Sequence, residues 1–405
     1  MSIPGSASPL FLASTAAAGA YEIPRSLRFN SGDSAYLNRT PSSAGNRKTW
    51  TLSFWIKRVK FGGYTPLIDA RNPLNDSLIS VLFNSNDELE LGHYSFSSIK
   101  TSRKYRDPSS WYHIVLAVDT TQGTASNRIK VYTNGVQEDS FTASSYPSQN
   151  TEYNWNTASL HTINQAGSSY GDQYFAEVNS IDGVSGLTAT DFGEYDDNNV
   201  WQPIEYAGTY GTNGFHLDFS DTSSNSALGT DSSGQGNNWT VNNLSVAAGA
   251  GNDALRDSPV NGDSANDTGA GGEITGNYAV INPLGQSSNT PTISDGNLQM
   301  TLGAVQGTRL GTIGVSSGKY YFEVVFTASS VFDGMVGVAS EQQQFTLGGY
   351  TGAYAYSWGY YYTGEKYNGG GSSYGASYGL NDVIGVAIDM DNQALYFSKN
   401  GVYQN

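Results

Sequence analysis

Short runs in which apolar and polar residues alternate recur along most of the chain. Ser26-Leu27-Arg28-Phe29 is the first, and Trp50 to Lys57 sustains the alternation for longer. Leu78 to Phe83, Glu88 to Leu91, Trp111 to Asp119 and Arg128 to Thr133 continue it, with turn-forming residues between them. A period of two sends successive side chains to opposite faces of a strand, so each run predicts a β-strand. Asn134-Gly135, directly after Ile129 to Thr133, predicts a type I′ hairpin turn, which needs positive φ at both central positions. Residues 246–275 lose the periodicity in favour of Ala, Gly, Asn, Asp and Ser, and read as a linker. Strands resume at Lys319 to Phe326, Met335 to Ala339, Val383 to Asp389 and Ala394 to Ser398, followed by a second Asn-Gly turn at Asn400-Gly401.

The expected fold is all-β, with two tandem antiparallel β-sandwich domains of jelly-roll type. The expected boundaries are 1–24 for an extended N-terminal arm, 25–245 for one sandwich, 246–275 for the linker and 276–405 for the other. A hairpin turn so close to Asn405 needs a returning strand to pair its backbone groups, so a natural chain longer than this is expected. In residues 1–24, Pro4, Pro9 and Pro24 oppose a helix, and Glu22 is the only charge. A floppy tail is one reading. An arm lying on a partner subunit through Leu10, Phe11 and Leu12 is the other, because disordered tails seldom lack solubilising charge.

Composition narrows the classes. Of 405 residues, 48 are Gly and 28 Tyr, while only 14% are charged, against roughly 25% in ordinary globular proteins. That mixture suits short strands and tight turns better than long helices. The net charge of -16 opposes binding to phosphate backbones and anionic lipid, which need clustered Lys and Arg. No apolar run reaches the ~18–20 residues of a membrane span. The apolar stretch Pro9 to Ala13 is too short, and Arg25 lies on the wrong side of it, for a secretory signal. There is no cysteine, so either the cores suffice without disulfides or the fold forms in a reducing cytosol and works outside it later, lysis of a host cell being one route of export.

Two resemblances follow from specific residues. Ser26 to Phe29 with Tyr36-Leu37, Trp50 to Lys57, Trp111 to Asp119, Val131 to Gly135 and Phe175 to Gly183 together resemble the concanavalin-like, laminin-G-type sandwich. The continuation from Asp191-Phe192-Gly193 through Trp201-Gln202-Pro203 to Asp218-Phe219 is similar to an extension in virion proteins of marine, cyanophage-like bacteriophages. Gly318 to Val324, Val336 to Ala339, Leu380 to Asp389 and Leu395 to Gly401 resemble a SPRY domain. Both sandwich families bind through their loops, so the resemblance implies recognition and no reaction.

Candidate chemistry is sparse. Glu88 and Glu90 share a strand face beside Asp87, but the Glu-x-Asp-x-x-Glu strand of glucanases is absent. The alternation with Leu89 and Leu91 reads as a solvated face. The histidines, His93, His113, His161 and His216, have no His-x-x-x-His spacing. His113 sits where laminin-G-like domains carry a structural histidine. Asp191, Glu194, Asp196 and Asp197, with Asp182, offer hard oxygens for Ca2+, which takes about 6–8 of them; a solvated acidic loop accounts for the same residues. In the Tyr-rich segment, Trp358, Tyr360, Tyr362 and Tyr367 are the candidate ligand-binding residues, although alternation commits half of its aromatics to a core.

The expectation is therefore a non-enzymatic bacteriophage virion protein, a tail fibre or adhesin-type appendage that binds host-surface glycan or protein. Its expected partners are other virion proteins, through the N-terminal arm, and the resemblance to fibre-type proteins implies a trimer of its own copies. A capsid decoration or structural protein is the alternative, and a glycan depolymerase the third.

Overall fold

The computed structural model describes residues 21–71, 79–92, 98–259, 275–285, 287–288, 291–301, 307–327, 333–340 and 349–404. Leu10, Phe11, Leu12 and His93 lie outside these residues. The described chain is β throughout, apart from short 3-10 turns, and divides into two compact units that meet in sequence at Tyr278–Ala279.

In the first unit the strands are β1 (Ser26–Phe29), β2 (Tyr36–Arg39), β3 (Thr49–Arg58), β4 (Thr65–Arg71), β5 (Ile79–Phe83), β6 (Leu89–Gly92), β7 (Ser98–Thr101), β8 (Trp111–Asp119), β9 (Ile129–Thr133), β10 (Val136–Gln137), β11 (Phe141–Ser144), β12 (Leu160–Ile163), β13 (Gln173–Asp182), β14 (Phe215–Leu217), β15 (Thr240–Asn242) and β16 (Ala254–Leu255). They form two antiparallel eight-stranded sheets. One runs β10-β9-β8-β3-β13-β1-β16, with β14 also on β13; the other runs β11-β7-β6-β5-β4-β12-β2-β15. Between them lies one apolar core, with Trp50, Leu52, Phe54 and Ile56 of β3 facing Ile68, Val81 and Phe83 of the second sheet. Asn134 and Gly135 have φ of 47° and 83°, as the predicted I′ turn requires.

The alternation of β3 predicts one wet face, yet all ten of its residues are buried. The chain after residue 190 covers the outer side. A Gly193–Tyr195/Trp201–Pro203 hairpin brings Trp201 against His113, and Asp257 seals Lys57.

The stretch expected to be a linker from residue 246 is, over its described residues to 259 and again at 275–278, part of this sandwich. β16 pairs with β1, Arg28 bonds Asp253 at 3.1 Å, and Lys57 Nζ donates to Asp257 at 2.8 Å, Asn277 at 2.9 Å and the Tyr278 carbonyl at 2.6 Å. These acids look solvated in sequence because their cationic partners lie about 200 residues upstream.

The second unit has two four-stranded antiparallel sheets. The first comprises β17 (Lys319–Val325), β22 (Val383–Asp389), β23 (Ala394–Lys399) and β24 (Val402–Tyr403); the second comprises β18 (Met335–Ala339), β19 (Ser357–Tyr361), β20 (Glu365–Tyr367) and β21 (Gly371–Ser373). Val336, Tyr360, Tyr378, Ile384, Val386 and Phe397 form the core. The Asn400-Gly401 turn, with φ of 49° and 80°, is followed by β24, whose Val402 and Tyr403 pair with Lys399 and Ser398.

Candidate functional site

The structure does not gather the five carboxylates proposed for calcium. Asp182 ends β13 and is buried, its Oδ1 accepting from the Asn46 amide at 2.7 Å and the Asn156 side chain at 3.0 Å. Its Oδ2 accepts from the Asn213 amide at 2.9 Å, so the carboxylate ties three loops together. Asp191 closes a capping box with Thr188, Asp196 accepts from the Asn198 and Val200 amides, and Glu194 and Asp197 point outward. Among the described residues, no three acidic or histidine side chains converge to hold an ion. Asp191 and Asp196 are spent on backbone N–H groups of their own turns and Asp182 on donors from three other loops, which the composition of an acidic loop cannot reveal.

Removal of Asp182 strands the buried donors of Asn156 and Asn213 and the backbone amide of Asn46. Asp182→Ala is expected to cost roughly 3 kcal/mol, since an unpaired buried donor costs about 1–3. A urea midpoint equal to that of the parent protein would refute this, and calcium or a chelator is expected to leave the midpoint unchanged.

The Tyr-rich segment separates into core and surface. Tyr360 of β19 is fully buried: its hydroxyl donates to the Ala376 carbonyl and its ring packs at 5.1 Å from Tyr378 and 5.3 Å from Phe397. It is therefore a core residue and not a ligand contact. Tyr362 is half-buried against the same core, and Tyr367 is half-buried edge-on to Tyr361 and Tyr350. Trp358 alone of the four keeps an open face, at 41% exposed. Beside it, Tyr350, Tyr354 and Tyr356 are exposed on turns whose backbone is closed by Ala353 N–H to Tyr350 O and Ser357 N–H to Tyr354 O. These hydrogen-bonded turns lead directly into the start of β19.

Residues 30–184 match the family described as the concanavalin A-like lectin/glucanases superfamily, and residues 319–405 match the SPRY domain. The chain joins a concanavalin A-like module to a SPRY module. This module composition suggests a binding module.

Curated relatives include a probable ATP-dependent RNA helicase ddx1 of Dictyostelium discoideum, 35% identical over 91 residues, which are 22% of this chain and 11% of the relative. A Ran-binding proteins 9/10 homolog of Drosophila melanogaster is 34% identical over 92 residues, 22% of this chain and 9% of the relative. The chain thus spans about a tenth of these relatives' lengths. Among solved structures, the native heptameric SAP-like pentraxin from Limulus polyphemus aligns over 42% of this chain and 80% of its own at 16% identity and a TM-score of 0.29. A Trypanosoma rangeli sialidase aligns over 40% and 26% at 15% identity and 0.28. Superpositions this loose carry no functional argument.

Buried polar groups in the concanavalin A-like module are arranged for packing. His113 accepts at Nδ1 from the Trp201 indole N–H at 2.9 Å, so its ring proton sits on Nε2 and points to Ser53 Oγ at 2.8 Å. A base that already donates to the hydroxyl cannot take a proton from it, and burial lowers the His113 pKa to about 3. Asp87 and Glu88 are not a solvated face. Asp87 is gripped by Arg58 at 3.1 Å and Arg106 at 2.6 Å, and Glu88 by Lys104 at 2.5 Å. Burial alone would raise Asp87, but the Gly62 amide and the two arginines outweigh it and hold the carboxyl below its ordinary range. Glu90 stays half-exposed beside Lys100 at 3.3 Å.

One cluster leaves no trace in sequence. At the β13 bulge Glu177 has a φ of 49°, its Oε1 lies 2.6 Å from His216 Nε2, and Tyr21 donates to it at 2.8 Å. Burial would lower His216, but Glu177 outweighs it and raises the pKa. Only a bulge, which a period-two pattern cannot locate, turns Glu177 toward these partners.

Proposed function

We propose that this chain is a non-enzymatic bacteriophage virion protein of tail-fibre or adhesin type, binding a host-surface glycan or protein through the loops of its sandwiches. The observation that supports the binding role is the turn-held aromatic group Tyr350, Tyr354, Tyr356 and Trp358, which the SPRY module presents to solvent while Tyr360 and Tyr378 form part of its core. Tyr and Trp offer large rigid contact area with a polar tip, as recognition surfaces require. The resemblance of the 191–219 extension to phage virion proteins supports the particle. A binding role without chemistry accords with His113 and the Asp87–Glu88 pair, whose protons and charges are committed to packing partners. Copies arranged on one appendage would compensate for weak single sites through high effective concentration.

The test has two arms. Antibody against the chain, imaged on intact particles, is expected to label the tail; label on the capsid face would overturn the appendage reading in favour of a decoration protein. Purified chain is expected to bind host cells, and Tyr356→Ala with Trp358→Ala to lose most of that binding. Equal binding by the double variant would remove the aromatic turns from the account, and release of reducing sugar from host polysaccharide would make the protein a depolymerase.

A further inference from the structure

The outer face of the β17-β22-β23-β24 sheet carries a second group of aromatics, remote in sequence from the Tyr-rich segment. Tyr321 is 40% exposed, Tyr396 48% and Tyr403 60%. Their strand register explains the grouping. Tyr321, Ala387 and Tyr396 form one cross-strand row, and Glu323, Gly385, Ser398 and Tyr403 the next. Neighbouring strands lie about 4.8 Å apart, so the three rings fall within a few strand spacings of one another.

Between the rings the residues are small: Gly385, Ala387 and Ser398. Tyr321 lies down in this gap. A methyl group built on Gly385 would come within 2.3 Å of the Tyr321 hydroxyl and 2.9 Å of its Cε2, and within 2.3 Å of Ser398 Oγ. The phenol tip of Tyr321 therefore lies against the backbone at Gly385, beside Ser398, and the residue stays 40% exposed. Its hydroxyl donates to Glu323 Oε1 at 2.7 Å, which fixes its direction. Glu323 is exposed, and among the described residues no cation lies within salt-bridge distance of it.

We infer that this sheet face is a binding site for neutral saccharide, separate from the aromatic turns invoked above. The faces of Tyr321, Tyr396 and Tyr403 would stack on the apolar faces of pyranose rings. The Glu323 carboxylate and the tyrosine hydroxyls would take up the sugar hydroxyls around the edges. Charge selects the occupant. An acceptor-rich carboxylate without a cation complements hydroxyl donors and repels uronic or sialic acids, as does the net charge of -16. An apolar protein surface fits less well, because docking it would bury the Glu323 charge without a cation to balance it. Among ligand classes, a sugar presents both the flat apolar face and the ring of hydroxyls that this surface requires.

The experiment is native affinity electrophoresis of the full chain in gels containing dextran, glucomannan, xyloglucan, galactomannan or hydroxyethyl cellulose, with an alginate gel and a polymer-free gel beside them. Retardation in at least one neutral gel and none in alginate is expected, and Tyr321→Ala with Tyr396→Ala is expected to abolish it. Tyr403→Ser, at the most exposed of the three, gives a second variant that reports a partial loss even if the double variant misfolds. No retardation of the parent chain in any neutral gel, or undiminished retardation of the Tyr321 and Tyr403 variants, overturns the site. So does concentration-dependent self-association that these variants abolish, since the face would then belong to a second copy. Host-cell binding measured on the same variants separates the two readings: binding that survives loss of Tyr321 and Tyr396 leaves the proposed function standing without this site.

Discussion

Replacing Lys57 with alanine is expected to destabilise the concanavalin A-like module by roughly 3–5 kcal/mol, the range for removing one partner of a buried ion pair. Lys57 is fully buried on β3, and its ammonium has three acceptors: Asp257, Asn277 and the Tyr278 carbonyl. Burial lowers its pKa, and Asp257 works against that shift. Without the ammonium, Asp257 would remain as a buried carboxylate at 5% exposure, with the Trp111 indole at 3.1 Å as its remaining side-chain donor. The effect should be visible locally as well as globally. Arg256, exposed and adjacent to Asp257, is a trypsin site at the edge of the pinned stretch. Lys57→Ala should be cut there much faster than the parent, alongside a lower urea midpoint. Lys57→Met with Asp257→Leu should recover part of the stability by removing both charges, though the Trp111 indole then loses its acceptor. Unchanged midpoint and cleavage rate in Lys57→Ala would show that the stretch is held by something else.

Acidification from pH 7 to pH 5 is expected to cost the same module about 4 kcal/mol through two buried histidines. Burial lowers His113 to about 3 and His161 to about 4, from an ordinary value near 6.5. A histidine depressed in the folded state stabilises fully above its unfolded pKa, and the contribution falls as pH drops towards the folded value. At pH 5 the unfolded chain holds both protons and the native state excludes them, a loss of about 2 kcal/mol for each ring. The His161 environment explains its smaller shift. Its Nδ1–H donates to the Ser159 carbonyl at 2.7 Å, which favours the charged form, while burial and Arg39 oppose it. His216 has the opposite sign. Its raised pKa contributes stability that is complete below about 6.5 and fades as pH rises through the folded value, so it offsets part of the acid loss. Urea midpoints at both pH values for the parent, for His113→Gln with His161→Gln, and for His216→Gln would separate these contributions. The first variant should flatten the dependence and the second steepen it. A parent slope retained by the double variant would remove the two histidines from the explanation.

Several elements are readable in the chain for local reasons. The β3, β8 and β9 strands carry period-two apolar residues, and the Asn134-Gly135 and Asn400-Gly401 turns need only their own positive φ angles. The aromatic segment was partly legible. Alternation requires some of its tyrosines to be core, and Tyr360 with Tyr378 fulfils that, but alternation alone cannot say which face is covered. Trp358 and Tyr360 point to the same side of β19, yet one is 41% exposed and the other fully buried, because the core ends between them. The acidic loop is ambiguous in sequence for a related reason: carboxylates that close turns and carboxylates that coordinate ions have the same composition and spacing.

What the linear chain determined by itself is the β class, the two modules and the hairpin turns, since side-chain periodicity and turn chemistry are properties of a few adjacent residues. What only the tertiary structure decided is which polar groups are spent. Long-range pairs such as Lys57–Asp257 and Arg28–Asp253 turn a polar tail into part of a sandwich, and the Trp201 hairpin dries the outer side of β3. The second sheet face shows the same division: Tyr321, Tyr396 and Tyr403 are ordinary strand tyrosines in sequence and become one surface through antiparallel register. Register and coverage depend on contacts between residues far apart along the chain, and local pattern carries no information about them.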